Sequence, residues 1–203
     1  MPAPDPARRD RILREAIRIL AERGERELTV RAVATASDCS TSGVYTYFNG
    51  RPGLLDAIVF SGFDELDAAT EAAANAAAPG LDAIAARCQA YMDFAAANPT
   101  QYELMFSSPV PDFQRSAAAA ERGIQSFELF SAAVGAAIDS GTIADAGAGA
   151  ALVTGTLWAT LHGHATIRNK WPEQPNVYLP WKQDPRAAVA WLLRGIAAES
   201  GSA

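Results

Sequence analysis

Between positions 29 and 51 lie nine residues whose side chains suit one kind of chemistry: Thr29, Arg31, Thr41, Ser42, Gly43, Tyr45, Thr46, Tyr47 and Arg51. Hydroxyl, phenol and guanidinium groups hydrogen-bond phosphate oxygens and base edges, and a guanidinium can engage guanine O6 and N7 in bidentate fashion. Residues 40–48 contain no Lys or Arg, so base reading there falls to the hydroxyls and methyls of Thr41 and Thr46, with Ser42 assisting. Thr29, Tyr45, Tyr47 and Arg51 suit phosphates, which set register without reporting sequence. A solvated helix surface would display the same hydroxyls. Glycine at 43 points the other way, because a glycine inside a short helix costs about 1 kcal/mol relative to alanine and calls for a reason such as close approach to DNA.

The elements that must hold these groups can be read from periodicity. Leu13, Ala16, Ile17 and Leu20 recur at i, i+3, i+4 and i+7, predicting an amphipathic helix over 8–23 that Gly24 ends. Thr29 stands at an N-cap position before a second helix of at most two turns, reaching Ala36. Ser40 can cap a third helix running through Phe48, and Asn49-Gly50 breaks the chain before Pro52 opens a fourth. Two short helices joined by a three-residue turn within about twenty residues have helix-turn-helix geometry. Val33, Ala34, Cys39, Val44 and Phe48 would fill the small core between them.

Beyond Leu54 every segment reads as helix: to about Ala77, Leu81–Ala97, 100–106, Phe113–Ser140, Gly147–Trp171, and a last helix carrying Val189, Leu192, Leu193 and Ile196. Breaks fall at Pro79-Gly80, at Asn98-Pro99, in a Pro-bearing loop over Ser107–Asp112, and in Pro172–Pro185 with its four prolines. No stretch alternates as a strand would. The expected fold class is all-α, about nine helices, with a three-helix helix-turn-helix domain over 1–52 and a larger helical domain over 53–203.

The segment Leu28-Thr-Val-Arg-Ala-Val-Ala-Thr-Ala-Ser-Asp-Cys-Ser-Thr-Ser-Gly-Val-Tyr-Thr-Tyr-Phe48 resembles the DNA-binding domain of the TetR family of regulators. The resemblance covers 8–60 and is carried by Ile12-Leu13, Leu28-Thr29-Val30-Arg31, Ser40, Tyr45, Tyr47-Phe48, Arg51 and Leu54-Leu55. It implies that Arg31 reads a base edge or a phosphate. Two positions depart from the family pattern. Asp38 stands where glycine is usual in the turn, and Asp tolerates a left-handed backbone better than most residues. Arg51 stands where Lys is frequent, which keeps the charge and alters its geometry. Arg8, Arg9 and Arg11 offer an N-terminal arm, though an arginine cluster before a helix also serves as plain solvated surface.

A second resemblance lies at Leu157-Trp-Ala-Thr-Leu-His-Gly-His-Ala-Thr-Ile167, similar to the Trp-His-Gly signature of one class of TetR-family C-terminal domains, joined by Asn98-Pro99-Thr-Gln-Tyr-Glu-Leu-Met-Phe106. Trp158, His162 and Ala165 share a helical face at i, i+4 and i+7. Together with Met92, Met105 and Phe106, Trp158 and His162 are candidates to line an apolar effector pocket; a core Trp beside a hydrogen-bonded His, with Met and Phe as ordinary core, would use the same residues. The resemblance further implies a homodimer formed by the last two helices, whose Ala and Gly content permits close helix contact. Paired recognition helices about 34–36 Å apart would meet successive major grooves of a pseudo-palindromic operator. It implies a repressor released by a small, largely apolar ligand.

Bulk properties agree with that class. At 203 residues, 49% hydrophobic and 20% charged, the chain can bury a sizeable core without a metal or disulfide. The net charge of −6 would disfavour phosphate, yet residues 1–60 carry nine arginines against eight acids, so the acidity lies in the remainder. Cys39 and Cys88 lack metal-ligand spacing and read as reduced thiols, consistent with a cytoplasmic protein, and no apolar run suggests a membrane span or secretion signal. No Gly-x-Ser-x-Gly elbow, Walker loop or His-Glu-x-x-His is present. Gly147-Ala-Gly-Ala-Ala-Leu152 lacks the third glycine of a dinucleotide fingerprint, and His162 and His164, two apart on a helix, make a poor metal pair. An enzyme and a cofactor are therefore not expected; the alternative is a helical interaction protein that keeps the fold without specific DNA binding.

Overall fold

The computed structural model describes residues 5–107, 113–144, 147–170 and 185–197. Among these are nine α-helices: α1 Pro6–Arg23, α2 Val30–Ala36, α3 Thr41–Phe48, α4 Arg51–Ala76, α5 Leu81–Ala97, α6 Pro99–Phe106, α7 Ala117–Asp139, α8 Ala150–Lys170 and α9 Pro185–Ile196. Among the described residues there is no strand, only an isolated antiparallel bridge between Ile143 and Ala197. No helix there is long and apolar enough to cross a membrane. The expected loops over Ser107–Asp112 and Pro172–Pro185 lie largely outside the described residues.

Two compact units form, the described residues of Met1–Asp64 with Asn98–Gly123 and those of Glu65–Ala97 with Ile124–Ala203. The sequence boundary at 52/53 falls inside the first turn of α4, a single helix of 26 residues whose own course passes from one unit into the other.

In the first unit α1 packs on α2 and on α6, and α2 packs on α3. The α1 core stripe is Ile12, Ala16, Ile19 and Leu20, all at or below 1% exposure. It is rotated from the expected stripe, since Leu13 and Ile17 lie half-buried on its flank. The helix also starts earlier than position 8: Asp5 caps it, its carboxylate accepting the Ala7 N–H at 3.0 Å, and Pro6 takes a first-turn position where no N–H is needed. Val33, Ala34, Val44 and Phe48 are buried as anticipated, whereas Cys39 is half-buried. Each large aliphatic side chain so enclosed contributes about 1.5–3 kcal/mol.

In the second unit α5 packs on α8 and α9. Ile84, Cys88, Tyr91, Met92 and Phe94 of α5, Val153, Leu157, Leu161 and Ala165 of α8, and Val189 and Leu193 of α9 are buried. Burial pushes the Cys88 thiol up to about 12, so it stays protonated and inert at neutral pH. Two carbonyls near the end of α5 are met from α8: Arg168 donates to Met92 O at 2.7 Å, and Asn169 to Ala95 O at 2.9 Å, in the last turn where carbonyls lack partners within the helix.

Candidate nucleic-acid interface

Short helices need external fixing, and both helices of the motif are capped. Thr29 Oγ1 accepts the Ala32 N–H at 3.1 Å and Ser40 Oγ accepts the Gly43 N–H at 3.0 Å. The turn between them is closed by Ser37, 1% exposed, whose hydroxyl donates to Val33 O at 2.7 Å, and by the Cys39 N–H donating to Ala34 O at 2.9 Å. Asp38 adopts φ 49°, the left-handed conformation that glycine would otherwise supply. Asn49 (φ 55°) and Gly50 (φ 89°) then reverse the chain into α4.

The geometry of α3 divides its residues by face. Val44 and Phe48, four apart, are buried, while Thr41, Ser42, Tyr45 and Thr46, at i, i+1, i+4 and i+5, are exposed. Tyr45 is 57% exposed and lies across Gly50. Thr46 donates its hydroxyl to Ser42 O at 2.9 Å, which leaves its methyl and an acceptor lone pair outward. Gly43 and Tyr47 flank this face half-buried. Tyr47 has a partner the sequence did not suggest: its hydroxyl oxygen accepts the Asp5 N–H at 3.0 Å, so its own proton remains to donate.

Arg31 projects from α2 into solvent and lines an open groove of about 470 Å³ together with Arg18, Ile19, Arg23, Thr29, Ala32, Thr35 and Ala36. A second groove of about 380 Å³ runs beside α3, lined by Arg9, Tyr45, Thr46, Tyr47, Phe48, Asn49, Gly53, Asp56, Ala57 and Phe60. Arg9 lies over the Phe48 ring, 5.3 Å from its centroid. Arg51 turns inward: Nε donates to Leu28 O at 2.9 Å, and Nη2 to Glu25 O and the Glu25 carboxylate, both at 2.8 Å. These bonds grip a single 3-10 turn, Glu25–Glu27, that leads into α2 and that periodicity did not reveal.

The five candidate effector residues divide between the units. Met105, fully buried, lies against Gly62, and Phe106 meets Tyr102 at 4.8 Å and Phe63 edge-on at 5.5 Å, all within the first unit. Met92, Trp158 and His162 belong to the second. There Trp158 stacks on His162, centroids 5.3 Å apart and planes 21° from parallel, and meets Phe127 edge-on at 6.4 Å. Partial burial holds the His162 imidazole below its ordinary pKa, favouring the neutral ring. Trp158 and His162 are half-buried rather than enclosed, because the buried stripe of α8 runs through Leu157, Leu161 and Ala165 beside them.

Asp5, Glu25 and Gly53 take part in this architecture without having been singled out from sequence. For Asp5 a signal existed, since Asp-Pro at a helix start combines an N-cap with a first-turn proline.

Two family models match the chain: bacterial regulatory proteins of the tetR family over residues 12–58, and the tetracyclin repressor-like C-terminal domain over 84–196. An HTH-type transcriptional regulator of Mycobacterium tuberculosis is 28% identical over 116 residues, 54% of this chain and 50% of the relative. The chain thus matches half the length of that curated relative. Among solved structures, a protein of unknown function from Rhodococcus sp. RHA1 superposes with a TM-score of 0.79 at 28% identity, covering 97% of this chain and 99% of the other. A bacterial regulatory protein in the tetR family from Rhodococcus RHA1 shares the fold with a TM-score of 0.66 at 19% identity, covering 97% and 100%. With its helix-turn-helix and its C-terminal helical domain both matched, the chain belongs to the TetR family of bacterial regulatory proteins.

Proposed function

We propose that the chain is a cytoplasmic, homodimeric transcriptional regulator that binds a pseudo-palindromic DNA operator through α3 and leaves it when a small apolar ligand binds, acting as a repressor. The observation that carries this reading is the exposed face of α3, where Thr41, Ser42, Tyr45 and Thr46 stand on a frame capped at both helices. An α-helix of this kind fits a major groove, where hydroxyls and methyls distinguish base pairs. Thr41→Ala and Arg31→Ala are each expected to weaken operator binding by about 1–3 kcal/mol in an anisotropy titration while leaving non-specific binding nearly intact for Thr41→Ala. Unchanged operator affinity in both variants would remove α3 and α2 from the interface.

Dimerisation through α8 and α9 is supported by a face that carries apolar and small residues into solvent. Leu152 is 62% exposed and Trp191 73%, and a side chain added at Gly155, Gly163 or Gly195 would meet nothing within 4 Å. Exposed large apolar groups beside small residues suit close approach of a second helix pair. Leu152→Glu combined with Trp191→Glu should convert the dimer to monomer in sedimentation analysis and lower operator affinity about a hundredfold or more, because one half-site contact is lost. A doubly substituted chain that still sediments as a dimer would place the interface elsewhere.

Release follows from a population shift: a ligand that prefers a conformer with misplaced recognition helices lowers operator affinity by its differential affinity for the two states. Ligand contact we assign, within the second unit, to Met92, Trp158 and His162; Met105 and Phe106 are separate candidates within the first. A compound that raises the melting temperature of the protein should also release DNA; stabilisation without release would separate that site from induction.

A further inference from the structure

The arginines of the first unit do not present equal charge to a polyanion, and their partners sort them. Arg18 lies between two carboxylates, 2.7 Å from Glu15 and 2.8 Å from Glu22. Arg51 is paired with Glu25 at 2.8 Å and commits three N–H groups, one on Nε and two on Nη2, to that carboxylate and to the carbonyls of Glu25 and Leu28. A guanidinium neutralised by its own carboxylate releases little counterion when a phosphate arrives, since the local charge is already balanced. Arg23 and Arg31 differ. Both are exposed, neither has an ion-pair partner among the described residues, and both line the groove that contains Thr29.

Chain geometry explains the division. Arg23 is the last residue of α1, and Gly24 (φ 80°) turns the backbone away directly after it, leaving the side chain at the rim of that groove. Arg51 opens α4 and reaches back to the residues just before the α2 N-cap, where the Thr29 N–H also donates to Glu27 O at 2.8 Å. Its bonds therefore determine where Thr29 and Arg31 stand.

We infer that Arg51 is a positioning residue for the start of α2, and that phosphate charge beside Thr29 is neutralised by Arg23 acting with Arg31. This rests on the duplex-binding reading above. It withdraws Arg51 from the phosphate-contacting set expected from sequence and adds Arg23 to it.

The test is the salt dependence of duplex affinity, measured by anisotropy on the full chain over a series of KCl concentrations, with a melting curve for each variant. Arg23→Ala and Arg31→Ala should each flatten the slope of log K against log salt by about 0.9, with the melting temperature unchanged. Arg51→Gln, which removes the charge but keeps a donor for a carbonyl, should bind more weakly at every salt concentration and melt lower, with a slope no flatter than that of Arg31→Ala. Arg31→Ala should then matter less in the Arg51→Gln background than alone, because a misplaced Arg31 has less contact to lose. Slope losses that add in the Arg31→Ala/Arg51→Gln double variant, to about 1.8, would overturn the positioning role, and a wild-type slope in Arg23→Ala would overturn its phosphate role. Arg23 is on the surface, so that arm stands even if Arg51→Gln does not fold. Wild-type protein that ignored duplex DNA at every salt concentration would sink the duplex-binding reading itself, a result distinct from either of these.

Discussion

Replacing Gly53 with alanine is expected to unfold much of the first unit or to lower its melting temperature sharply. A Cβ at this position would lie 1.6 Å from the carbonyl oxygen of Phe48 and 2.7 Å from its carbonyl carbon. Those are backbone atoms at the end of α3, so no side chain can swing aside. Relief would require drawing α4 away from α3, but the intervening turn is already set by left-handed Asn49 and by Gly50, and Leu54 and Leu55, at or below 1% exposure, anchor α4 in the core. Overpacking typically costs about 1–3 kcal/mol and more where only backbone can yield, a large part of the stability of a small unit. Thermal unfolding followed by far-ultraviolet circular dichroism should show the loss, and duplex binding should vanish with it. A variant that melts like wild type would mean that α3 and α4 do not approach as closely as the structure places them.

Gly53 also marks the limit of what could be read in the chain alone. Helix type and order were legible because apolar residues repeat at helical spacing and because Thr29, Ser40, Gly24 and Asn49-Gly50 are local signals that act on their own neighbours. The left-handed Asp38 was legible only through the family resemblance, since it stands where the turn usually carries glycine. Partnerships across long sequence separations were not: the Asp5 N–H to Tyr47 hydroxyl bond, the Arg51 grip on Glu25 and Leu28, and the Phe48–Gly53 contact depend on where helices end up rather than on composition. Arg51 illustrates the cost, since a basic residue at a helix start suggests phosphate as readily as it suggests an internal carboxylate. On α8, periodicity placed Trp158, His162 and Ala165 on one face; it could not tell that only Ala165 of the three lies in the buried stripe, with Leu157 and Leu161.

Gly43→Ala should move stability and DNA affinity in opposite directions. Inside the chain nothing requires glycine there: an added Cβ would meet Ser40 Oγ at 3.6 Å and Cys39 Cβ and Sγ at 3.7 Å, ordinary van der Waals distances, and the position lies within α3 without a positive φ. Alanine in that helix should therefore raise stability by up to about 1 kcal/mol. If α3 lies in a major groove, the same methyl stands between the helix backbone and the DNA, on the flank of the face formed by Thr41, Ser42, Tyr45 and Thr46. Losing that close approach should weaken operator binding about tenfold or more, roughly 1.4 kcal/mol for each factor of ten. A melting curve and an anisotropy titration on the same sample check both signs at once. Higher stability with undiminished operator affinity would make Gly43 an ordinary surface residue, and the glycine would no longer favour DNA over solvent as the neighbour of α3.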